Sequence, residues 1–188
     1  MLSDDILSRD FYMQETTIVA KKLLGKRLVR KINKKIISGI IIETEAYRSD
    51  DPASHTYTGM TERNKAMFGT VGCAYIYTTH GIYFCIDVVA RNKRFHAGGV
   101  LIRSLYPDTG IDIMEKNRQT NNFKNLTNGP AKLTQALQID KKLYGVDLTK
   151  QIDLYITEGI HTENKIQSSP RVGISKAVDK NWNFKLIF

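Results

Sequence analysis

Two carboxylates and a phenol end an otherwise apolar segment of the chain. They are Glu43, Glu45 and Tyr47, and they follow the run 39–42 (GIII). Because side chains alternate along a strand, these three are expected to share one face with Ile41. Carboxylates are costly to bury unless paired or protonated, and one held in such a place can act as a general base. The alternative is a strand end that emerges into water, with both carboxylates solvated.

The polar residues just beyond this segment, Asp50, Asp51 and His55, leave three catalytic interpretations open. The carboxylate pair could hydrolyse a sugar glycoside, one as acid and the other as base or nucleophile. Together with the aspartates and the histidine it could hold a divalent metal for a nuclease. A single glutamate could instead activate a water against the N-glycosidic bond of a nucleotide flipped out of duplex DNA.

The net charge of the chain favours a nucleic acid partner. The 188 residues include 28 Lys+Arg and 19 Asp+Glu, which gives a formal net charge of +9. A domain this basic is suited to a polyanion, through phosphate neutralisation and counterion release. The charge therefore argues against the sugar hydrolase. The alternative that is not an enzyme is a basic DNA-binding protein without catalytic activity.

A predicted β-hairpin carries aromatic side chains that suit the third interpretation, in which a flipped nucleotide is hydrolysed. Two runs rich in Tyr, Ile, Val and Thr, within residues 72–90, flank the turn pair His80–Gly81. Its tip could enter a groove and fill the hole left by an extruded base, with Tyr75, Tyr77 and Tyr83 stacking on that base. Tyrosines also pack the faces of ordinary hairpins, so the hairpin alone does not decide the function.

The helices and strands that must position these residues can be predicted from the sequence pattern. Together they indicate one α+β domain over residues 1–188, with mostly antiparallel sheet pairing. The expected helices start at Thr16 and Pro130, and Thr61 is expected to cap a short helix through Phe68. Outside the hairpin, the expected strands are Arg27–Lys31, Lys35–Tyr47, Val100–Leu105, Ile152–Ile156 and Arg171–Ile174.

The cysteines and the apolar segments indicate the compartment. Cys73 and Cys85 lack the spacing of a zinc site and are expected to be reduced core residues. The N-terminus lacks the pattern of a secretory signal, and no run approaches the 18 or so apolar residues of a membrane span. These features predict a cytoplasmic protein with no membrane association.

Five segments, in this order, resemble the alkyladenine (3-methyladenine) DNA glycosylases of the mammalian N-methylpurine type. They are ETEAY…DDPASH, TERNKAMF, YIYTTHGIYFC, GGVLIRSLYP and TNGPAKLTQAL. The resemblance spans about Leu23 to Gly173 and favours the third interpretation. It implies one mixed domain with a curved sheet, flanking helices and a protruding DNA-inserting hairpin. It further implies a monomer that excises damaged purines from double-stranded DNA by hydrolysis, with no metal, other cofactor or obligate protein partner.

The resemblance also implies residue roles by position. Glu45 is the general base, Arg103 helps to hold the attacking water or the nearby backbone, and Glu43 is structural. The base-binding residues are Tyr47, Ala53, His55, Tyr77 and Asp87, with Tyr47 and Tyr77 as opposite walls. His80 is the intercalating residue at the hairpin tip, and Arg63 and Lys132 are the candidates for contacts to the DNA backbone.

Three positions depart from the expected pattern. His80 stands in place of a tyrosine, and Asp87 in place of an asparagine that disfavours the exocyclic amine of guanine. Asp87 therefore predicts comparatively good tolerance of 7-methylguanine and 3-methylguanine. The C-terminal segment 182–188 (WNFKLIF) lacks the arginine expected before Phe, which is expected to affect the packing or DNA contacts of the tail but not the chemistry. For Tyr77 and Asp87 to share a face, the hairpin needs a three-residue loop or a bulge instead of a two-residue turn.

Overall fold

The computed structural model describes residues 5–79, 81–160 and 166–187, and antiparallel strands dominate it. The strands are β1 (Arg27–Ile32), β2 (Lys35–Arg48), β3 (Ala74–Thr79), β4 (Tyr83–Val89), β5 (Gly98–Thr109), β6 (Leu154–Thr157), β7 (Ile166–Ser169) and β8 (Asn183–Leu186). The α-helices are α1 (Arg9–Tyr12), α2 (Thr16–Leu23), α3 (Ile111–Arg118) and α4 (Pro130–Ala136). Short 3-10 turns lie at Lys65–Phe68, Phe123–Asn125 and Lys141–Leu143.

These strands form one curled sheet with β2 at its centre. The order is β3-β4-β5-β2-β1-β6, and β8 pairs with both β2 and β7. One edge of β2 pairs with β5 along most of its length, and the other edge pairs first with β1 and then with β8. The predicted α+β class with a largely antiparallel sheet is confirmed. None of the helices in the described ranges has the length and apolar character of a membrane span.

Two irregularities in the β2–β5 pairing set the direction of the polar side chains. Ile41 pairs with Leu105, Glu43 with Ser104, and Thr44 with Ile102, so the register shifts on both sides of Glu43. A bulge reverses the alternation of faces beyond it. Ile41 therefore lies in the core on the face that Thr44 and Ala46 continue, and not with the glutamates, contrary to the prediction from strict alternation.

Helix α2 covers the core face of the central strand. Glu15 caps the helix by accepting hydrogen bonds from the backbone N–H groups of Thr17 and Ile18. The helix buries Val19, Ala20 and Leu23 completely, and Thr44 of β2 donates a 2.8 Å hydrogen bond to the Ala20 carbonyl. This contact fixes β2 against the core, so the opposite face of the strand is available for a site.

The hairpin has the longer of the two loops considered from the sequence. Thr79 pairs with Tyr83, which leaves three residues in the loop, and Gly81 has a φ of 76°. Tyr77 then pairs with Cys85, and Tyr75 with Asp87, so Tyr77 and Asp87 share a face. This confirms the arrangement that the base-binding roles require. His80 lies outside the described residues.

Several predicted elements differ from the structure. Residues 171–174, expected as a strand, form a turn, because Arg171 is held by side-chain contacts instead of a strand partner. Thr61 caps no helix: its hydroxyl accepts from the N–H of Asn64, and the 3-10 turn begins after that residue. β5 is longer than the predicted Val100–Leu105. Sequence reasoning missed α1, α3, β7 and β8. The two cysteines are free, as expected.

Candidate active site

A cleft of about 680 Å³ opens between the hairpin, the loop after β2 and the C-terminal segment. Most of the residues implied by the resemblance line it. The site residues on its surface are Tyr47, Ala53, His55, Tyr77, Asp87, Arg103 and Lys132. The C-terminal segment adds Val172 to Lys176. One wall thus comes from a part of the chain that sequence reasoning did not connect with the site.

Glu45 lies beneath this cleft, completely buried, and both of its carboxylate oxygens accept hydrogen bonds. Oε2 accepts from the Tyr47 hydroxyl at 2.8 Å and from Nη1 of Arg103 at 3.3 Å. Oε1 accepts from the backbone N–H of Val172 at 2.8 Å and from Nδ2 of Asn183 at 3.0 Å. Four donors, one of them cationic, offset the desolvation of the carboxylate. Only Oε2 is bound by two cleft-lining side chains.

Arg103 connects the two glutamates that the sequence placed on one face. Its Nε donates to Glu43 Oε1 at 3.1 Å, and its Nη1 reaches Glu45. Arg103 has no partner in the β2–β5 register, where it is the extra residue of the irregular pairing. Such a position can redirect a side chain, and here the side chain bridges both carboxylates. Among the described residues, Glu43 hydrogen-bonds to Arg103 and Asn183, of which only Arg103 lines the cleft, and this agrees with a structural role.

A buried ion pair supports the loop that follows β2. The guanidinium of Arg171 binds both carboxylate oxygens of Asp51 and donates to the Ala46 carbonyl, and both charged side chains are fully buried. Asp51 Oδ1 in turn accepts from the N–H of Ala53 at 3.2 Å. The Arg171 guanidinium also lies 4.7 Å from the centre of the Tyr47 ring, a cation–π contact. Arg171 thereby holds two parts of the cleft wall.

His55 and two tyrosines form an aromatic cluster at the hairpin side of the cleft. Tyr75 stacks on Tyr77 with ring centres 4.9 Å apart, and His55 packs edge-on against Tyr77 at 4.8 Å. Tyr75 is fully buried behind Tyr77, so it cannot stack on a base as the sequence suggested. Its hydroxyl lies 3.1 Å from Nδ1 of His55. Partial burial and the nearby charge of Arg63 lower the pKa of His55, which favours the neutral ring.

Asp87 is a buried carboxyl in the cleft lining. Burial and, secondarily, the charge of Glu45 raise its pKa well above the usual range, while a hydrogen bond from Tyr77 opposes this shift. Its Oδ1 has no hydrogen-bond partner within the described residues. Unpartnered buried polar atoms are rare and call for an explanation, such as a role in binding or catalysis. Asp87 is therefore the least satisfied polar group of the site.

The two candidates for DNA backbone contacts are already engaged within the protein. Arg63 donates to the Thr78 carbonyl on the hairpin at 2.9 Å and lies 5.7 Å from the Tyr77 ring centre. Lys132 donates to Asn125 and Asn128, beside the start of α4 at the cleft rim. Both side chains are at or near the cleft, and Arg63 also braces the hairpin.

The described residues contain no ligand set for a metal centre. Among the described residues, no three His, Cys, Asp or Glu side chains are grouped closely enough to hold a metal ion. Asp51, one of the aspartates considered for such a centre, is instead neutralised by Arg171. The geometry thus offers no site for the metal-nuclease interpretation in this part of the chain.

Comparison with known proteins agrees with the geometry. The sequence profile of the methylpurine-DNA glycosylase (MPG) family matches residues 10–187. The chain belongs to this family. Curated relatives with the name "Putative 3-methyladenine DNA glycosylase" include one from Carboxydothermus hydrogenoformans, 46% identical over 96% of this chain and 95% of the relative. Others are from Prosthecochloris aestuarii, 44% identical over 93% and 84%, and Francisella tularensis, 42% identical over 90% and 89%.

The protein is thus a DNA glycosylase of base-excision repair, and DNA is its substrate. The family predicted from the five motifs is confirmed. Two residues of this glycosylase that contact the central machinery were not found from the sequence, namely Arg171 as a buried partner of Asp51 and Asn183 as a partner of Glu45. The one signal in this segment was the missing arginine before Phe, which was assigned to the tail alone. The structure instead places Asn183 of this segment against the Glu45 carboxylate.

Proposed function

We propose that this glycosylase flips a damaged purine into the cleft and hydrolyses its bond to deoxyribose with a water activated by Glu45. The observation that carries the proposal is the Glu45 carboxylate, held by four donors directly beneath a cleft with aromatic walls. Oε2 is the proton acceptor, because two cleft-lining side chains contact it. Arg103 and Tyr47 then border the position of the water.

The purine lies between Tyr47 and Tyr77. Aromatic faces attract a cationic ring, so alkylated purines gain both stacking and cation–π energy there. His55 supplies a hydrogen bond, since the Tyr75 hydroxyl donates to Nδ1 in the tautomer whose Nε2 carries the proton. The backbone of Ala53, held by Asp51, reads the purine edge. Cleavage leaves an abasic site and an unbroken strand.

The proposed substrates are 3-methyladenine, 7-methylguanine and 3-methylguanine, hypoxanthine and 1,N6-ethenoadenine in duplex DNA. Asp87 widens this range toward guanine, because its carboxyl accepts a hydrogen bond from the exocyclic amine. The hairpin tip with His80 is the wedge, and Arg63 and Lys132 contact phosphates. The protein acts as a cytoplasmic monomer, with residues 1–188 as one domain.

The test is base release in excess chelator. Duplexes with one of the proposed lesions are incubated with the wild type, Glu45→Gln and Glu43→Gln, and free base and alkali-labile sites are counted. Glu45→Gln is expected to lower the single-turnover rate by roughly 100-fold or more, the scale of general base catalysis. Glu43→Gln is the matched control, two residues away on the same face, and is expected to lose less than about tenfold.

Each other outcome has a definite meaning. Full activity of Glu45→Gln would show that Glu45 is not the base. Activity that disappears in chelator and nicks intact strands would favour a metal-dependent nuclease. Tight binding to undamaged duplex without base release from any lesion would contradict the proposed substrates and favour a binding role.

A further inference from the structure

The edge of β2 opposite β5 brings one more side chain to the catalytic carboxylate. β8 pairs with β2 over three residues, and the register places Asn183 directly across from Glu45. The Asn183 Nδ2 lies 2.9 Å from Glu43 Oε1 and 3.0 Å from Glu45 Oε1. One amide group therefore contacts both carboxylates from the side opposite Arg103.

The donors to Glu45 divide between its two oxygens. Val172 and Asn183, both from the C-terminal part of the chain, bind Oε1. Tyr47 and Arg103, both in the cleft lining, bind Oε2. The C-terminal donors thus fix the rotation of the carboxylate about its terminal torsion, which is otherwise soft. With Oε1 held, Oε2 stays directed at the cleft.

Asn183 is itself rigidly supported. Its neighbours Phe184 and Leu186 belong to the hydrophobic core and anchor β8 against the sheet. Asn183 is 3% exposed, and its Oδ1 lies 3.4 Å from the Ser169 hydroxyl on β7. A buried side chain on a paired strand loses little further freedom when it binds a carboxylate, so its contribution to orientation is large.

We propose that Asn183 is a positioning residue for catalysis, which holds Oε1 of Glu45 so that Oε2 accepts the proton of the attacking water. The proposal rests on the proposed role of Glu45. It also assigns a function to β7 and β8: this strand pair holds Asn183 against the edge of β2 that carries the catalytic carboxylate. Asparagine at this position supplies a donor to Glu45 without adding a second cation beside it.

The test combines chemistry, binding and a double-mutant cycle. Asn183→Ala removes the donor, and Asn183→Asp keeps the shape of the side chain but replaces the donor by an acceptor. Loss of one hydrogen bond to a charged group predicts a roughly 10- to 100-fold lower single-turnover rate on hypoxanthine DNA. The DNA concentration for half-maximal rate is expected to change by less than about threefold. Lys185→Ala, an exposed position on the same strand, is the control and should retain wild-type rates.

In the Glu45→Gln background, Asn183→Ala is expected to change the residual rate by less than about threefold, because a residue that acts through Glu45 has nothing left to position. An equal loss in both backgrounds, or a wild-type rate for Asn183→Asp, would overturn the proposal. Thermal unfolding of each variant checks the fold, and Asn183→Asp keeps the test valid if Asn183→Ala does not fold. Wild-type activity of Glu45→Gln would instead refute the proposed function, so the two failures are distinct.

Discussion

At the scale of single residues, this glycosylase is organised around two buried carboxyl groups with opposite environments. Glu45 accepts four hydrogen bonds, whereas Asp87 has an oxygen without a partner in the described residues. Burial raises the pKa of Asp87 and favours the neutral form of its carboxyl. Paired carboxyls with different environments are a common way to separate a base from a binding group.

The first prediction concerns base selectivity. Asp87→Asn is expected to lower the ratio of kcat/KM for 3-methylguanine to that for 3-methyladenine by roughly 2- to 10-fold, the value of one hydrogen bond. The physical reason is the loss of a carboxyl that accepts from the guanine amine. Single-turnover kinetics on the two lesions measure the ratio. An unchanged ratio would mean that Asp87 does not contact that amine.

A second prediction follows from the raised pKa of Asp87. The native state binds this proton more tightly than the unfolded state, whose aspartate pKa is about 3.9, so the cost of burying Asp87 grows as pH rises from about 4 toward the native pKa. Asp87→Asn removes this cost. Its gain in the free energy of unfolding over the wild type is therefore expected to be larger at pH 7.5 than at pH 4.5.

Urea unfolding at the two pH values measures the difference. Asp153→Asn, at an exposed position, is the control and should show no such gain. A gain for Asp87→Asn that is equal at both pH values would contradict the assigned protonation. It would point to better packing of the amide as the cause.

At the scale of elements, the C-terminal part of the chain completes a site that β2 begins. Arg171 anchors the loop after β2, the next residue donates its N–H to Glu45, and β8 supplies Asn183. The bulges in β2 and β5 are equally necessary, because they direct Glu43, Glu45 and Arg103 to the same face. The active site thus depends on strand pairing as much as on the identity of its residues.

The third prediction tests this anchoring. Arg171→Met leaves Asp51 buried with only Lys180, 3.7 Å away, as a cationic partner in the described structure. Removing one partner of a buried pair is expected to lower the free energy of unfolding by about 3–5 kcal/mol. Urea unfolding at pH 7 measures this change, and base release should fall as Tyr47 and Ala53 lose support.

Lys180→Met serves as the matched control for the same carboxylate. Its longer and partly exposed contact is expected to contribute less than about 1 kcal/mol. Equal effects of the two substitutions would show that the Arg171 pair is not the anchor. Replacement of both partners, in Arg171→Met with Asp51→Leu, should recover part of the stability because no unpaired charge remains.

At the scale of the whole molecule, the chain carries a formal net charge of +9, which suits the binding of DNA. Counterion release makes the binding of a basic protein to DNA strongly dependent on salt. Lys132 at the cleft rim is a candidate for one such contact, whereas Lys22 on α2 hydrogen-bonds to Gln14 and does not line the cleft.

The fourth prediction is the salt dependence of binding to abasic-site DNA. Between 50 and 200 mM salt the Kd is expected to rise at least about tenfold, as for proteins with several phosphate contacts. Lys132→Ala should reduce the slope of log K against log salt by about 1, and Lys22→Ala should leave it unchanged. A Kd that does not change with salt would contradict phosphate neutralisation. An unchanged slope for Lys132→Ala would show that Lys132 does not contact a phosphate.

Much of the site could be predicted from the local sequence. Strand alternation placed Glu43, Glu45 and Tyr47 on one face, and motif order located His55, Tyr77, Asp87 and Arg103, most of which line the cleft. The roles of these residues stay predictions, as does the wedge role of His80. The period of a strand and the residues of a turn are local properties, so a single segment is enough to reveal them.

The long-range partners of Glu45 could not be predicted in this way. Asn183 and the N–H of Val172 meet Glu45 across separations of 138 and 127 residues, and the bulges depend on how β2 and β5 fit together. No periodic pattern within one segment predicts such long-range contacts, because the register of the strands follows from the packing of the whole sheet. The amino-acid pattern was therefore sufficient for the family and for most of the reactive side chains. Only the tertiary structure decided which donors hold and orient the Glu45 carboxylate, because they come from distant strands that pack against each other.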